Sequence, residues 1–423
     1  MRRLTLDNGL RVVLDPRPMA PAVGMAVHYA VGFRNEPEGR SGFAHLFEHL
    51  MFQGSQNTGP SEHFRHVQAA GGTSGASTHQ DYTDFYQVCP TSALERMLFL
   101  EADRMASLRL TQRNLRTQLS VVKEEVRANV TNRAYGGFPW TVLPAVLYGT
   151  FPNAHNGYGH FGDLDGATLD DCAAFHAQHY APGNAVLTVS GSFAPDRVTD
   201  MIQRHFGRIP ARPVPSQPQL CEPPLTGERR DTHHDLHAAL PAVALGYRMP
   251  DPVTQRADYL AHIVLSLLLT GGENARLTRR LVRERGVAAS VRTGCGFFGP
   301  LQARNPDTFH LVAAHPPHTA LDDVLGETDA ELADLAATGP DEPELARASA
   351  RSFTAAARGY DNLLVRTRHQ GAFEVLHGRA ELVDELPDLL RAVDAGQVAR
   401  AAGGLAADAR GVLALTPAVG ALR

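Results

Sequence analysis

The sequence predicts a mixed strand-and-helix protein in which one architecture is built twice. A chain of 423 residues with 43% hydrophobic content can bury large cores, and its length suggests about two to three domains. Between residues 209 and 227, Pro210, Pro213, Pro215, Pro218, Pro223 and Pro224 give the composition of a linker. On both sides of that linker a buried strand is followed by a long helix, so the second half echoes the first. The expected organisation is an N-terminal domain over 1–208, a proline-rich linker over 209–228 and a C-terminal domain over 229–423.

Leu4 to Leu14 reads as a hairpin about Asn8-Gly9, and Ala22 to Val31 as a buried strand. A helix is predicted over Ser41 to Gly54 (SGFAHLFEHLMFQG), with Ser41 as N-cap and Gly54 as stop. At about 100° per residue, His45, Glu48, His49 and Phe52 share one side, and Phe43, Leu46, Phe47 and Leu50 the other. Neither side reads as a solvated face. Two imidazoles and a carboxylate in such surroundings cost several kcal/mol unless something satisfies them, and a cation does so. Histidines on an apolar helix are more often satisfied core residues than ligands. HxxEH, however, arises by accident in only about one chain in twenty of this composition.

A short helix is expected at Ser61 to Ala70, ended by Gly71-Gly72. Thr73 to Val88 (TSGASTHQDYTDFYQV) then reads as a hairpin whose strand can offer its edge to an extended peptide. Ser92 to Ser107 reads as a Ser-capped packing helix with Leu94, Met97, Leu98 and Met105 inward. Thr111 to Asn129 is a second important helix, with an apolar stripe of Leu115, Leu119, Val122 and Val126. On the helical wheel Glu125 sits at the edge of that stripe with Gln118, whereas Glu124 points to solvent. Asn184 to Gly191 (NAVLTVSG) is strand-like.

In the second half a strand is expected at Ala242 to Tyr247, and helices at Asp258 to Thr270 and Asn274 to Glu284. Where the first half carries HxxEH, this half has YLAHIVLSLLL, with His262 expected in the core. The remainder, Leu321 to Leu422, reads as helical with a final strand at Gly411 to Leu415.

Composition excludes several function classes. A net charge of -5 leaves no electrostatic footprint for nucleic acid. The nearest approach to the roughly 18 uncharged apolar residues of a membrane span is Ala261 to Thr270, so no membrane association is expected. The start, MRRLTLDNGLRVVLD, lacks the apolar core of a signal peptide. Cys89, Cys172, Cys221 and Cys295 lie far apart without CxxC spacing, which points to buried thiols and a cytoplasmic protein. His233, His234 and His237 have metal-like spacing but no helical pattern or carboxylate set around them. His155 and His160 fall in a loop, and Trp140 is expected to anchor its loop rather than line a cavity.

A catalytic zinc site needs three protein ligands and one open position, and two histidines with a glutamate are a recurrent set. His45 and His49 supply two ligands and Glu125 the third, while Glu48 is close enough to take a proton from water. These residues resemble the inverzincin peptidases of the pitrilysin and mitochondrial processing peptidase family, whose signature is HxxEH with a downstream ligand glutamate. The separation here, 125 − 49 = 76 positions, fits that family. The resemblance continues through LDNGLRVVLD, FQGS, DYTDFY, EADRM, VVKEEVRANVTNRAYG, HYAPGNAVLTVSG and, in the second half, ARLTRRLVRERGVA. It covers nearly the whole chain.

The resemblance implies that His45, His49 and Glu125 bind Zn2+, that Glu48 is the general base, and that peptides or unfolded polypeptide segments are cut, leader removal included. It implies an α+β fold of two homologous α/β-roll domains, each an antiparallel sheet packed with helices, together forming one half of a clamshell. The alternative is a non-catalytic peptide-binding or assembly subunit, against which the intact HxxEH and Glu125 argue. Three departures from the family pattern stand out. Gln118 replaces a glutamate seven positions before the ligand glutamate, and it can hydrogen-bond but not ionise. Gly75 replaces an asparagine on the substrate-side strand, leaving Gly75, Ala76 and Ser77 to pair with a peptide through their backbone. Arg283 belongs to a substrate-directed arginine and tyrosine pair, but Ala289 stands where the tyrosine falls. In heteromeric relatives a partner carries that pair, so the resemblance implies a heterodimer with a homologous subunit; a homodimer is the other possibility.

Overall fold

The structure, a computed structural model, describes residues 1–418; positions 419–423, where the expected helical remainder and C-terminal domain end, lie outside the described residues. The chain gathers into two compact units. One is made of Met1–Glu124, Gly157–Pro218 and Arg358–Asp384, and the other of Glu125–Asn156, Gln219–Ala357 and the stretch from Glu385 onward.

The first unit is built on a six-stranded sheet in the order β1-β2-β6-β3-β5-β4. β1 (Arg2–Thr5) and β2 (Arg11–Pro16) form the expected hairpin, with Gly9 at φ 88° in its turn, a value that favours glycine. β3 (Val23–Tyr29) and β6 (Ala185–Gly191) are buried along their whole length in the middle of the sheet. β4 (Thr73–Thr78) and β5 (Thr83–Cys89) form the second expected hairpin and leave β4 at the edge. Met25, Val27 and Tyr29 of β3 point into a core shared with Leu46, Phe47 and Leu50. The helix Leu363–His377 packs across β3, β5 and β6.

The second unit repeats this design. β7 (Arg229–Asp235), β8 (Ala242–Arg248), β9 (Ser290–Cys295), β10 (Thr308–Ala314) and β11 (Arg410–Pro417) lie in the order β7-β11-β8-β10-β9. Without β1, the first sheet reads β2-β6-β3-β5-β4, and the strand senses agree one for one. β2 and β6 are parallel, as are β7 and β11, and the other pairs are antiparallel. The duplication expected from the sequence is therefore present at the level of strand order. Each parallel pair joins strands separated by a long crossover, which a hairpin pattern in the sequence does not reveal.

Four helices of the first half match the sequence pattern: α1 (Phe43–Leu50), α2 (Glu62–Ala69), α3 (Leu94–Ser107) and α4 (Gln112–Val126). Their starts differ from expectation. Ser41 is not the N-cap of α1, because Gly42 at φ 89° fills that place; nor does Ser92 cap α3, which is entered from a tight turn at Thr91–Ala93. Phe52 lies past the end of α1 and stacks on Phe64 at 4.3 Å rather than sharing the face of His45. α4 runs on into a wider π-type turn over Arg127–Thr131. The strands β7, β9 and β10 had no sequence expectation; β7 (RRDTHHD) is a polar edge strand without apolar alternation.

In the second half, His262 lies buried on the helix Arg256–Thr270, its Nδ1 2.8 Å from the Asp258 carbonyl, as expected of a core histidine. His234 lies on β7 with Nδ1 2.6 Å from Thr416 Oγ1. Cys89, Cys172 and Cys295 are buried thiols, whereas Cys221, in the proline-rich stretch, is exposed, contrary to expectation. Trp140 packs edge-on against Phe298 at 5.7 Å. Among the described residues no helix is long and apolar enough to cross a membrane.

Burial holds His28, His79, His176, His179 and His310 down to about 4, mainly by desolvation of the charged ring. In the unfolded chain these groups titrate near 6.5. The folded state therefore excludes protons that the unfolded chain takes up between pH 6.5 and 4. Their contribution to stability is complete above pH 6.5 and is lost as pH falls toward 4, by at most about 3 kcal/mol per histidine. The melting temperature followed by circular dichroism is expected to fall steeply from pH 6.5 to 4; a flat profile across that window contradicts this account.

Candidate metal centre

The eight residues of α1 place the chemistry by packing. Phe43, Ala44, Leu46, Phe47 and Leu50 are buried, and the Phe47 ring lies 5.0 Å from Phe175 and 5.2 Å from Tyr180. With those positions fixed, the 3.6-residue period turns His45, Glu48 and His49 to the opposite side. His45 is buried, and Glu48 and His49 are half-buried.

The N-terminus of this helix is satisfied from upstream. The buried Glu36 carboxylate accepts the Gly42 N–H at 2.8 Å on one oxygen and the Ala44 N–H at 2.7 Å on the other. It thereby caps two orphan donors and places a negative charge at the positive end of the helix. Ser41 is used elsewhere: its N–H and hydroxyl both donate to Asp163 Oδ2, at 3.0 and 2.5 Å. Gly42 is required at its position, since besides its φ of 89° an added Cβ would lie 2.9 Å from the Tyr158 carbonyl oxygen.

His45 and His49 stand one helical turn apart, with ring centroids 5.0 Å apart at 88°, and the Tyr158 ring closes on His45 at 5.2 Å. The third member comes from α4. Leu115, Gln118, Val122 and Val126 are its buried stripe, Glu124 is exposed, and Glu125 is half-buried at the stripe's edge. One ligand atom each from His45, His49 and Glu125 lie within 4.8 Å of one another, the one such group of His, Cys, Asp or Glu among the described residues. Two imidazoles and a carboxylate converging this closely match the donor set of a tetrahedral zinc site with one position left open. Gln118, seven residues earlier on α4, is buried on the same side of the helix.

Glu48 is oriented by the neighbouring strand: the Thr78 hydroxyl donates to its Oε2 at 2.8 Å. Thr78 ends β4, the strand that holds Gly75, Ala76 and Ser77, all half-buried at the sheet edge. On α3, Arg104 makes paired bonds to Glu101, at 2.9 Å from Nε and 2.5 Å from Nη2, and lies 4.3 Å over the Phe85 ring. Arg283 lies in the second unit and is engaged with Glu273 and Asn274. His155 stacks on Phe151 at 4.3 Å and is bonded to its carbonyl, and His160 donates its backbone N–H to Ser41 Oγ at 2.9 Å.

Sequence reasoning missed Glu36, Tyr158 and Thr78. Thr78 sat inside a segment singled out as a strand but was given no role there. Glu36 caps from six and eight residues away, outside any local capping pattern.

The description "Insulinase (Peptidase family M16)" applies to a family model matching residues 11–135, and "Peptidase M16 inactive domain" to one matching residues 166–351. The first stretch contains His45, Glu48, His49 and Glu125; the second has no HxxEH. Zinc protease PqqE of Helicobacter pylori is 30% identical over 336 residues, 78% of this chain and 74% of that protein. The crystal structure of a protease from Helicobacter pylori matches with a TM-score of 0.88 at 26% identity, covering 98% of this chain and 99% of that one. The periplasmic protease PqqL from Escherichia coli shares the fold at a TM-score of 0.78 and 17% identity, over 99% of this chain and 48% of its own. With strand order, sequence and relatives in accord, the chain belongs to peptidase family M16.

Proposed function

We propose that this chain is a zinc-dependent endopeptidase that cuts peptides or unfolded polypeptide segments. The observation that carries this reading is the convergence of His45, His49 and Glu125 within 4.8 Å beside Glu48, which Thr78 orients. Zinc held by those three residues would supply Lewis-acid polarisation of the scissile carbonyl and acidify a water. Glu48 accepts the proton of the attacking water and afterwards delivers it to the leaving amine, so one carboxylate serves as base and then acid. Gly75, Ala76 and Ser77 of the edge strand pair with the backbone of an extended peptide, which places an amide bond near Glu48. Backbone pairing also favours unfolded segments over folded proteins.

A specialised processing role, such as leader removal, and a homologous partner subunit belong to the same proposal. Arg283 is engaged with Glu273 and Asn274, and Ala289 stands where the partnering tyrosine falls. The same fold takes up 48% of the longer PqqL chain. The free thiols support a reducing, cytoplasmic setting.

Glu48→Gln is expected to retain about one equivalent of zinc by atomic absorption while peptide cleavage falls by at least about a thousandfold, in line with loss of a general base that also acts as acid. His45→Ala, His49→Ala or Glu125→Ala is expected to lose the metal. Full cleavage by Glu48→Gln, or full zinc in Glu125→Ala, overturns the assignment. Glu36→Ala is expected to lower stability by about 2 kcal/mol in urea denaturation, because two buried N–H groups lose their acceptor, and to weaken zinc binding with it. Glu36→Gln, which keeps an acceptor oxygen, should lose less; equal stability of all three proteins contradicts the capping role.

A further inference from the structure

The sheet of the first unit ends on β4, beyond which no strand is paired among the described residues. Side chains of a strand alternate between two faces. Ala76 and Thr78 lie on the α1 side, where Ala76 packs on the core and Thr78 reaches Glu48. Gly75 and Ser77 lie on the other side, which faces the helix Leu363–His377.

Gly75 is paired across the ladder with Tyr86 of β5. A Cβ at position 75 would lie 2.7 Å from the Tyr86 hydroxyl, 2.8 Å from Cζ and 2.9 Å from Cε2. The phenol therefore occupies the space that a side chain at position 75 normally fills, and its hydroxyl is carried across β4 toward the open edge. The ring is clamped there. The Arg368 guanidinium lies 4.0 Å from its centroid. Arg368 is itself fixed by bonds to Asp84, 2.6 Å from Nε to Oδ2 and 3.0 Å from Nη2 to Oδ1, and by a 3.0 Å bond from Nη2 to Ser77 Oγ. Tyr86 is half-buried, and its hydroxyl has no hydrogen-bond partner among the described residues.

We propose that Tyr86 contacts the substrate and that Arg368 is the residue positioning it, so that the peptide residue opposite Gly75 is selected for a side chain with an oxygen acceptor: Asp, Asn, Ser or Thr. The inference rests on the reading of β4 as the peptide-binding strand. Residues directly opposite in a ladder project to the same face. The peptide residue opposite Gly75 thus points away from α1, beside the phenol. A side chain with an acceptor satisfies the hydroxyl as the peptide covers it, whereas an aliphatic one leaves it unpaired.

The test uses the zinc-loaded chain carrying Glu48→Gln, so that peptides bind without being consumed. Labelled decapeptides in which Asp, Ser or Leu is walked along an otherwise constant alanine and threonine sequence are titrated by fluorescence anisotropy. One position should favour Asp and Ser over Leu by about three- to tenfold in Kd, the size expected of one hydrogen bond. Tyr86→Phe keeps the ring and its stacking on Arg368, and should abolish that preference with zinc content and melting temperature unchanged. Arg368→Lys should weaken the same preference and change nothing further in the Tyr86→Phe background. A preference that survives Tyr86→Phe, or none at any position among peptides that bind, overturns the proposal. Failure of every peptide to bind overturns the β4 reading and this inference together. Binding with the stated preference, but no cleavage by the parent chain, overturns hydrolysis alone and leaves the inference standing.

Discussion

The site depends on one short helix being held at both its apolar side and its N-terminus. Eight residues are too few to form a stable helix alone, since nucleation is costly and only packing repays it. Phe43, Leu46, Phe47 and Leu50 supply the packing, and the Glu36 carboxylate supplies the missing acceptors at the first turn. Because those contacts fix the axis and rotation of α1, the directions of His45, Glu48 and His49 are set by the core beneath them. Only Glu125 has to arrive from elsewhere, and it does so on a helix seated by its own buried stripe.

Much of this was legible in the sequence because it is periodic. The apolar spacing in FAHLFEHL, the stripe of α4 that separates Glu125 from Glu124, and the alternation around Asn8-Gly9 all follow from 3.6- or 2-residue repeats. The parts that were not legible are those where distant residues meet. Glu36 takes over from Ser41 as cap, β6 and β11 insert beside parallel neighbours, and Arg368 reaches Asp84 across 284 positions. Polar β7 gave no signal because its pairing with β11, not its composition, makes it a strand. Gly75 looked like the loss of a polar contact; the structure shows the space at that position filled by Tyr86.

The two units show what a duplicated design keeps and what it discards. Strand order and sense are preserved, while the helix after the central strand diverges. In the first unit that helix has eight residues and turns two imidazoles and a carboxylate out of the core. In the second it has 15 residues, most of them buried, and its one histidine closes onto its own preceding turn. Sheet topology is thus the shared part, and the histidine pair that points out of the core stands on one copy of it.

The unpaired rim of β4 also bears on colloidal behaviour. A free row of backbone donors and acceptors is a template for fibrillar stacking of identical molecules as much as for a ligand. Here the row is six residues long, and an aromatic ring held by a guanidinium lies across it at the glycine. The margin proposed to seat a peptide is thus also the place where a second copy would adhere at high concentration.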